Sequence, residues 1–110
     1  MRPVQVTTTD ATAGATVSTV VIPDIYLTPA NLSIGVVVTG TVNYTVQATL
    51  DDVFSTSFNP ATATWYDHPT LVGQTATAAS NYAFPVRGVR LRQNSGNGSC
   101  VMNVVQSGVQ

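Results

Sequence analysis

Residues 41–50, TVNYTVQATL, keep a period of two without a fault: Val42, Tyr44, Val46, Ala48 and Leu50 alternate with Thr41, Asn43, Thr45, Gln47 and Thr49. Successive side chains of a strand point to opposite faces, so this pattern predicts an antiparallel strand with one face on a core. Just upstream, Ile34 to Val38 form a continuous apolar run short enough for a strand buried on both faces, and Gly40 between the two marks a tight corner that could join them as a hairpin.

Working outward, residues 84–92 and 99–106 flank QNSGNG (93–98), a loop rich in residues that tolerate positive φ, which predicts a second hairpin. In its first arm Val89 and Leu91 alternate with Arg90 and Arg92, and Gly88 breaks the phase set by Phe84 and Val86 as a bulge would. In the second arm Cys100, Met102 and Val104 compete with Val101 and Val105 for the inward face, and the sequence leaves that register open. Val4 and Val6, then Ala15, Val17, Thr19 and Val21, suggest two short strands, whereas residues 7–13 carry no large side chain and read as a loose connection. Residues 1–16 are thus an expected extended arm. Pro23 and Pro29 bracket an edge segment or turn containing Ile25, Tyr26 and Leu27, and a further strand is expected over residues 62–66, ended by His68 and Pro69.

Composition points the same way. The chain has 110 residues, 18 of them Val and 17 Thr, with no Lys and no Glu. Helical surfaces are normally built from the residue types it lacks, so a helical bundle is excluded. The expected fold is all-β: a single domain over residues 1–110, an antiparallel β-sandwich or jelly roll of about seven to eight short strands with no significant helix. Four Arg and five Asp give a net charge of −1, too little positive field for nucleic acid or an anionic membrane surface. The start of the chain has no apolar signal region, no run approaches the length of a membrane-spanning helix, and a single Cys allows no internal disulfide.

The residues available for chemistry are few. Asp67–His68 is the one tempting pair, but neighbours on an extended chain point apart, and residues 65–69 read better as a packed turn closing a strand. No enzyme is expected, and no cofactor. Asp51, Asp52, Asp67 and His68 lack the spacing of a metal site, and Asp51 and Asp52 are expected to hydrogen-bond within a turn. Cys100 reads as a small buried hydrophobe. Asn31, Asn43 and Asn97 open Asn-x-Ser/Thr triplets that a chain so rich in these residues generates by chance.

Arg87, Arg90 and Arg92 hold three of the four positive charges within six residues, and Arg90 and Arg92 share a strand face. They either pair with Asp and cover the sheet with their stems or meet a partner's carboxylates. With Trp65, Tyr66 and His68 they are the candidate interface.

The segments GTVNYTVQATLDDVF (40–54), TWYDH (64–68), FPVRGVRL (84–91) and the Ser/Gly-rich loop that follows resemble small β-structured virion proteins of tailed bacteriophages, a resemblance covering residues 40–108. It implies a capsid decoration, or cement, protein on the virion surface. Assembled in the host cytoplasm, such a protein binds the major capsid protein as a dimer or trimer and carries no catalytic residue. The rival expectations are a tail or fibre module that recognises a host carbohydrate and a head-to-tail joining protein. Exposed rings at Trp65, Tyr66 or Tyr82 beside polar loops would favour the carbohydrate module, and buried ones the scaffold.

Overall fold

A computed structural model describes residues 4–23, 31–82 and 86–107. Eight strands run in the order β1 (Val4–Thr9), β2 (Thr16–Val17), β3 (Asn31–Thr39), β4 (Asn43–Thr49), β5 (Trp65–Asp67), β6 (Ala78–Tyr82), β7 (Gly88–Ser95) and β8 (Ser99–Ser107). They form two four-stranded antiparallel sheets, β1-β8-β3-β6 and β2-β7-β4-β5. Every connection except β4 to β5 passes from one sheet to the other, which makes the sandwich a jelly roll.

The core lies between the sheets and follows the two-residue period. Val6, Leu32, Ile34, Val36, Met102 and Val104 face inward from the first sheet, and Tyr44, Val46, Ala48, Val89 and Leu91 from the second. The open register of β8 is resolved with Cys100, Met102 and Val104 inside. Cys100 is fully buried, as expected, beside Thr8 and Gln93, whose side chains are also buried. The Thr8 hydroxyl donates to Gln93 Oε1 at 3.0 Å. Gln93 Nε2 in turn donates to the carbonyls of Gly96 and Gly98 at 3.1 and 3.0 Å.

Several expectations are corrected. The hairpin through Gly40 and the hairpin through residues 93–98 are both absent as paired arms: β3 and β4, and likewise β7 and β8, lie in opposite sheets. A glycine-rich turn signals reversal of the chain, which a corner between two sheets needs as much as a hairpin does. Residues 34–38 bury one face only, and Val37 is 49% exposed. Residues 4–9 of the expected arm form β1, paired along its length with β8, and Ala11 beyond it is buried. Gly88 pairs regularly with Thr49, and the irregularity falls instead between Asn43 and Tyr44. Gly88 has a packing reason, since a Cβ there would sit 2.8 Å from Val20 Cγ1. The strand expected over residues 62–66 is β5. Ile25, Tyr26, Leu27 and Pro29 lie outside the described residues, as do Phe84 and Pro85.

Strand β4 is buried on both faces. Its polar parity, Thr45, Gln47 and Thr49, is covered by the chain's own segments rather than by water. Residues 68–76 extend the sheet edge beyond β5, with His68 N donating to Val46 O, Val46 N to Leu71 O, and Tyr44 and Gln74 exchanging both backbone bonds. Thr45 Oγ1 accepts from Gly73 N at 3.0 Å and from Asn94 Nδ2 at 3.0 Å. A buried hydroxyl or amide costs about 1–3 kcal/mol when unpaired, which is why this second buried face can be polar only because it is bonded throughout.

Burial raises the acidities' midpoints of Tyr44 and Tyr82 above the ordinary phenol value of 10.0 and that of Cys100 above the ordinary thiol value of 9.0. The folded state therefore keeps protons that the unfolded chain releases first. Stability contributed by these groups is complete below pH 9.0 and declines as the pH rises through 9.0 and 10.0 toward their raised folded values. Urea midpoints should fall steadily from about pH 9 upward, and a midpoint flat across that range would contradict the burial of these three groups.

Candidate functional site

Arg90 and Arg92, predicted from sequence, sit on the outer face of the β2-β7-β4-β5 sheet. In the pairing of β4 with its two neighbours, Gln47 lies between Arg90 of β7 and Asp67 of β5, and Thr49 lies opposite Trp65. Arg90 and Trp65 are therefore diagonal neighbours across one strand, close enough for long side chains to meet. They do: the Arg90 guanidinium carbon stands 4.1 Å from the Trp65 ring centroid. A cation over an indole face contributes about 0.5–1 kcal/mol at an exposed site and more as water is excluded.

The contacts continue in a chain. Arg90 Nε donates to Gln47 Oε1 at 2.9 Å, and Gln47 Nε2 donates to Asp67 Oδ1 at 2.9 Å. Trp65 Nε1 donates to the Pro60 carbonyl at 2.9 Å, and Arg90 NH1 reaches the same oxygen at 3.5 Å. Arg90 thus meets Asp67 through an amide rather than directly. Partial burial, and secondarily the charge of Arg92, lowers the Arg90 midpoint from its ordinary value. Arg92 shares its face opposite Thr45 and Val17, half-buried, and Arg87 is exposed next to the end of the strand, its backbone N donating to Thr49 O. Arg90, Arg92 and Trp65 thus share one outer face, whereas Arg87 has the strand parity of the inward-facing Val89 and Leu91 and does not join them.

Tyr66 and His68 do not join them. Tyr66 is 55% exposed on the edge strand β5. His68 is 3% exposed, so its place in the candidate interface is corrected. Its Nε2 lies 2.8 Å from the Asn81 carbonyl, and its Nδ1 accepts from Thr70 N at 3.0 Å and Leu71 N at 3.1 Å. A carbonyl on one nitrogen and two N–H donors on the other fix the neutral ring with its proton on Nε2. The ring also meets Tyr82 edge-on at 4.8 Å, and Tyr82 itself is buried. His68 fastens the end of β5 to β6, in keeping with the packed-turn reading of residues 65–69.

A second feature escaped the sequence reading. The connection from β4 to β5 frames an open cavity of about 340 Å³ lined by Asp51, Asp52, Ser55, Phe58, Asn59 and Thr62 among others. Asp52 Oδ1 accepts from Phe54 N, a turn bond of the kind expected for this doublet, whereas Asp51 Oδ2 accepts from Thr64 N across the loop. Phe54 beside it is 64% exposed. Among the described residues no group of three or more His, Cys, Asp or Glu is placed to hold a metal ion.

The fold and this surface define an all-β sandwich with a cationic, aromatic patch on one outer sheet. No family model, no curated protein and no solved structure matches the chain.

Proposed function

We propose that this protein is a non-enzymatic structural component of a bacteriophage virion, a capsid decoration protein that binds the assembled head and bridges major capsid subunits. The observation that carries the reading is the division of the sandwich into two unlike faces. One outer sheet presents Arg90, Arg92 and Trp65, and the other presents no charge among its described residues. A subunit with two broad, chemically distinct faces suits a position between neighbours in a shell. Arginine's planar fork meets carboxylates of a partner in a fixed geometry, so the arginine face is the one assigned to the shell. A protein that binds the assembled lattice and not its separated subunits stabilises the lattice by mass action, by about 2.7 kcal/mol per site at 100 times its Kd.

The test is binding of the purified protein to particles that lack it. Arg90→Ala with Arg92→Ala should lower occupancy at fixed concentration by about tenfold or more, because two charged contacts are lost from the centre of the patch. Undiminished occupancy of a folded double variant would remove this face from the contact. Particles stripped of the protein should release DNA at a lower temperature than replenished ones.

A carbohydrate-binding role on a tail or fibre is the second reading. Exposed Tyr66 and Phe54, and a cavity bearing two carboxylates and Asn59, favour it. Buried Tyr82 and the covered face of Trp65 favour the scaffold. Copy number separates the two, since a shell component is present in hundreds of copies and a tail module in a handful.

A further inference from the structure

The outer face of the β1-β8-β3-β6 sheet is built unlike the rest of the surface. Its side chains follow from the pairing: Thr7, Val101 and Val37 form one row across three strands, and Gln5, Asn103, Gly35 and Ala79 form the next across all four. Of the nine charged residues of the chain, Arg2 and Asp24 lie outside the described residues. None of the others stands on this face. Whereas β4 of the opposite sheet is partly overlain by residues 60–76, no other described segment covers this face, and Val37 and Val105 are 49% and 40% exposed.

Gly35 sits near its centre, in the middle of a nine-residue strand paired on both sides. A Cβ there would meet nothing within 4 Å, and the backbone needs no positive φ. Among the described residues nothing calls for glycine here, although glycine in a strand interior costs about 0.5–1 kcal/mol relative to alanine. Glycine at such a place marks the close approach of something from outside the chain.

We propose that this face packs against the same face of a second copy of the chain, with the two Gly35 backbones near the two-fold axis. A two-fold contact sets one patch against an identical patch, with the residues near the axis against their own mates, so a face of one charge would repel itself and a neutral one does not. The extent fits a weak contact. At about 4.8 Å between strands and about 3.3 Å per residue, four strands of nine, nine, six and five residues span roughly 460 Å². Two such faces cover roughly 900 Å² in projection, below the roughly 1,200 Å² of standard specific interfaces and in the range of weak, transient contacts. The expected dimer is weak, which is why it is sought at high concentration. The proposal goes beyond the reading above, whose shell contact lies on the opposite sheet.

Sedimentation velocity of the full chain up to about 100 µM, beside thermal melts, tests it. Gly35→Val should raise the melting temperature, because it places a good strand former on an open surface, yet weaken the dimer by about tenfold or more. Val37→Lys should do the same to the dimer with the melt little changed. A wild-type chain that stays monomeric throughout overturns the proposal, as does a dimer that both folded variants leave intact. If the wild type is monomeric and the two variants lose particle binding, the face belongs to the shell protein: the second copy is refuted and capsid binding stands. If the variants lose the dimer while Arg90 and Arg92 substitutions never affect particles, the dimer stands and the capsid contact fails.

Discussion

Gly98→Ala is expected to destabilise the fold by about 4 kcal/mol or more, among the largest effects open to a single substitution. Two corners meet at one end of the sandwich: the β3–β4 corner at residues 40–42 and the β7–β8 corner at residues 96–98. Gly98 N donates to Thr41 O at 2.9 Å, and the chain after β1 closes over both, with Asp10 N donating to Gly98 O and Ala11 N to Gly96 O. A Cβ on Gly98 would overlap Thr39 O and stand 2.8 Å from Thr41 N. These are backbone atoms, which cannot swing aside as the tip of a side chain can. Relief requires the corners to part, and that breaks the Gly98–Thr41 bond together with the two bonds Gln93 donates to this turn. Gly96 is constrained twice over, by φ of +100° and by Thr41 backbone beneath it. Against a total stability of about 5–15 kcal/mol, Gly98→Ala should lower the urea midpoint drastically, whereas Gly35→Ala, facing open space, should change it by about 1 kcal/mol or less. Equal midpoints for the two variants would mean that the corners do not touch as described.

A corner between two sheets and a hairpin carry the same local turn signal. The signals at Gly40 and at residues 93–98 correctly mark where the chain reverses, but local sequence carries no information on whether the returning strand pairs with its predecessor or crosses the core to the other sheet. That choice is made by long-range pairing, of β8 with both β1 and β3 and of β7 with β4. The alternation of residues 41–50 does specify the core parity of β4, and it leaves hidden that Thr45, Gln47 and Thr49 are buried too, because a polar parity looks alike under water and under a bonded loop. Strand β6 was missed since its AASNY sequence offers two alanines and a serine where a strand usually shows branched residues. In the candidate site, Arg90 and Arg92 on one face were legible from spacing. The Trp65–Arg90 stack was not, because it depends on the diagonal register of β5 and β7 across β4, and neither was the burial of His68.

His68→Phe is expected to cost about 3 kcal/mol or more, although it keeps a ring of similar shape against Tyr82. The loss is one of hydrogen bonding. Removing Nδ1 leaves Thr70 N and Leu71 N without their acceptor, and removing Nε2–H leaves the Asn81 carbonyl without that donor. The buried Leu71 N deprived of its acceptor costs about 1–3 kcal/mol, the part-buried Thr70 N and Asn81 carbonyl less, and phenylalanine returns only part of this through its greater apolar area. The damage should be local first. Residues 68–76 run beside β4 and supply Gly73 N to Thr45 and Leu71 O to Val46 N, so amide exchange at Val46, Thr70 and Leu71 should accelerate well before the β1-β8-β3 pairing loosens. Because His68 also ends β5, Trp65 and Asp67 lose their anchorage to β4 at the same time, and the arginine face loses one wall. His68→Asn discriminates between the roles of the two nitrogens: a short amide cannot span from the Asn81 carbonyl to both backbone donors, so it should recover no more than a part of the lost stability. Full stability in the phenylalanine variant, with exchange at Thr70 and Leu71 unchanged, would show that the ring acts by packing alone.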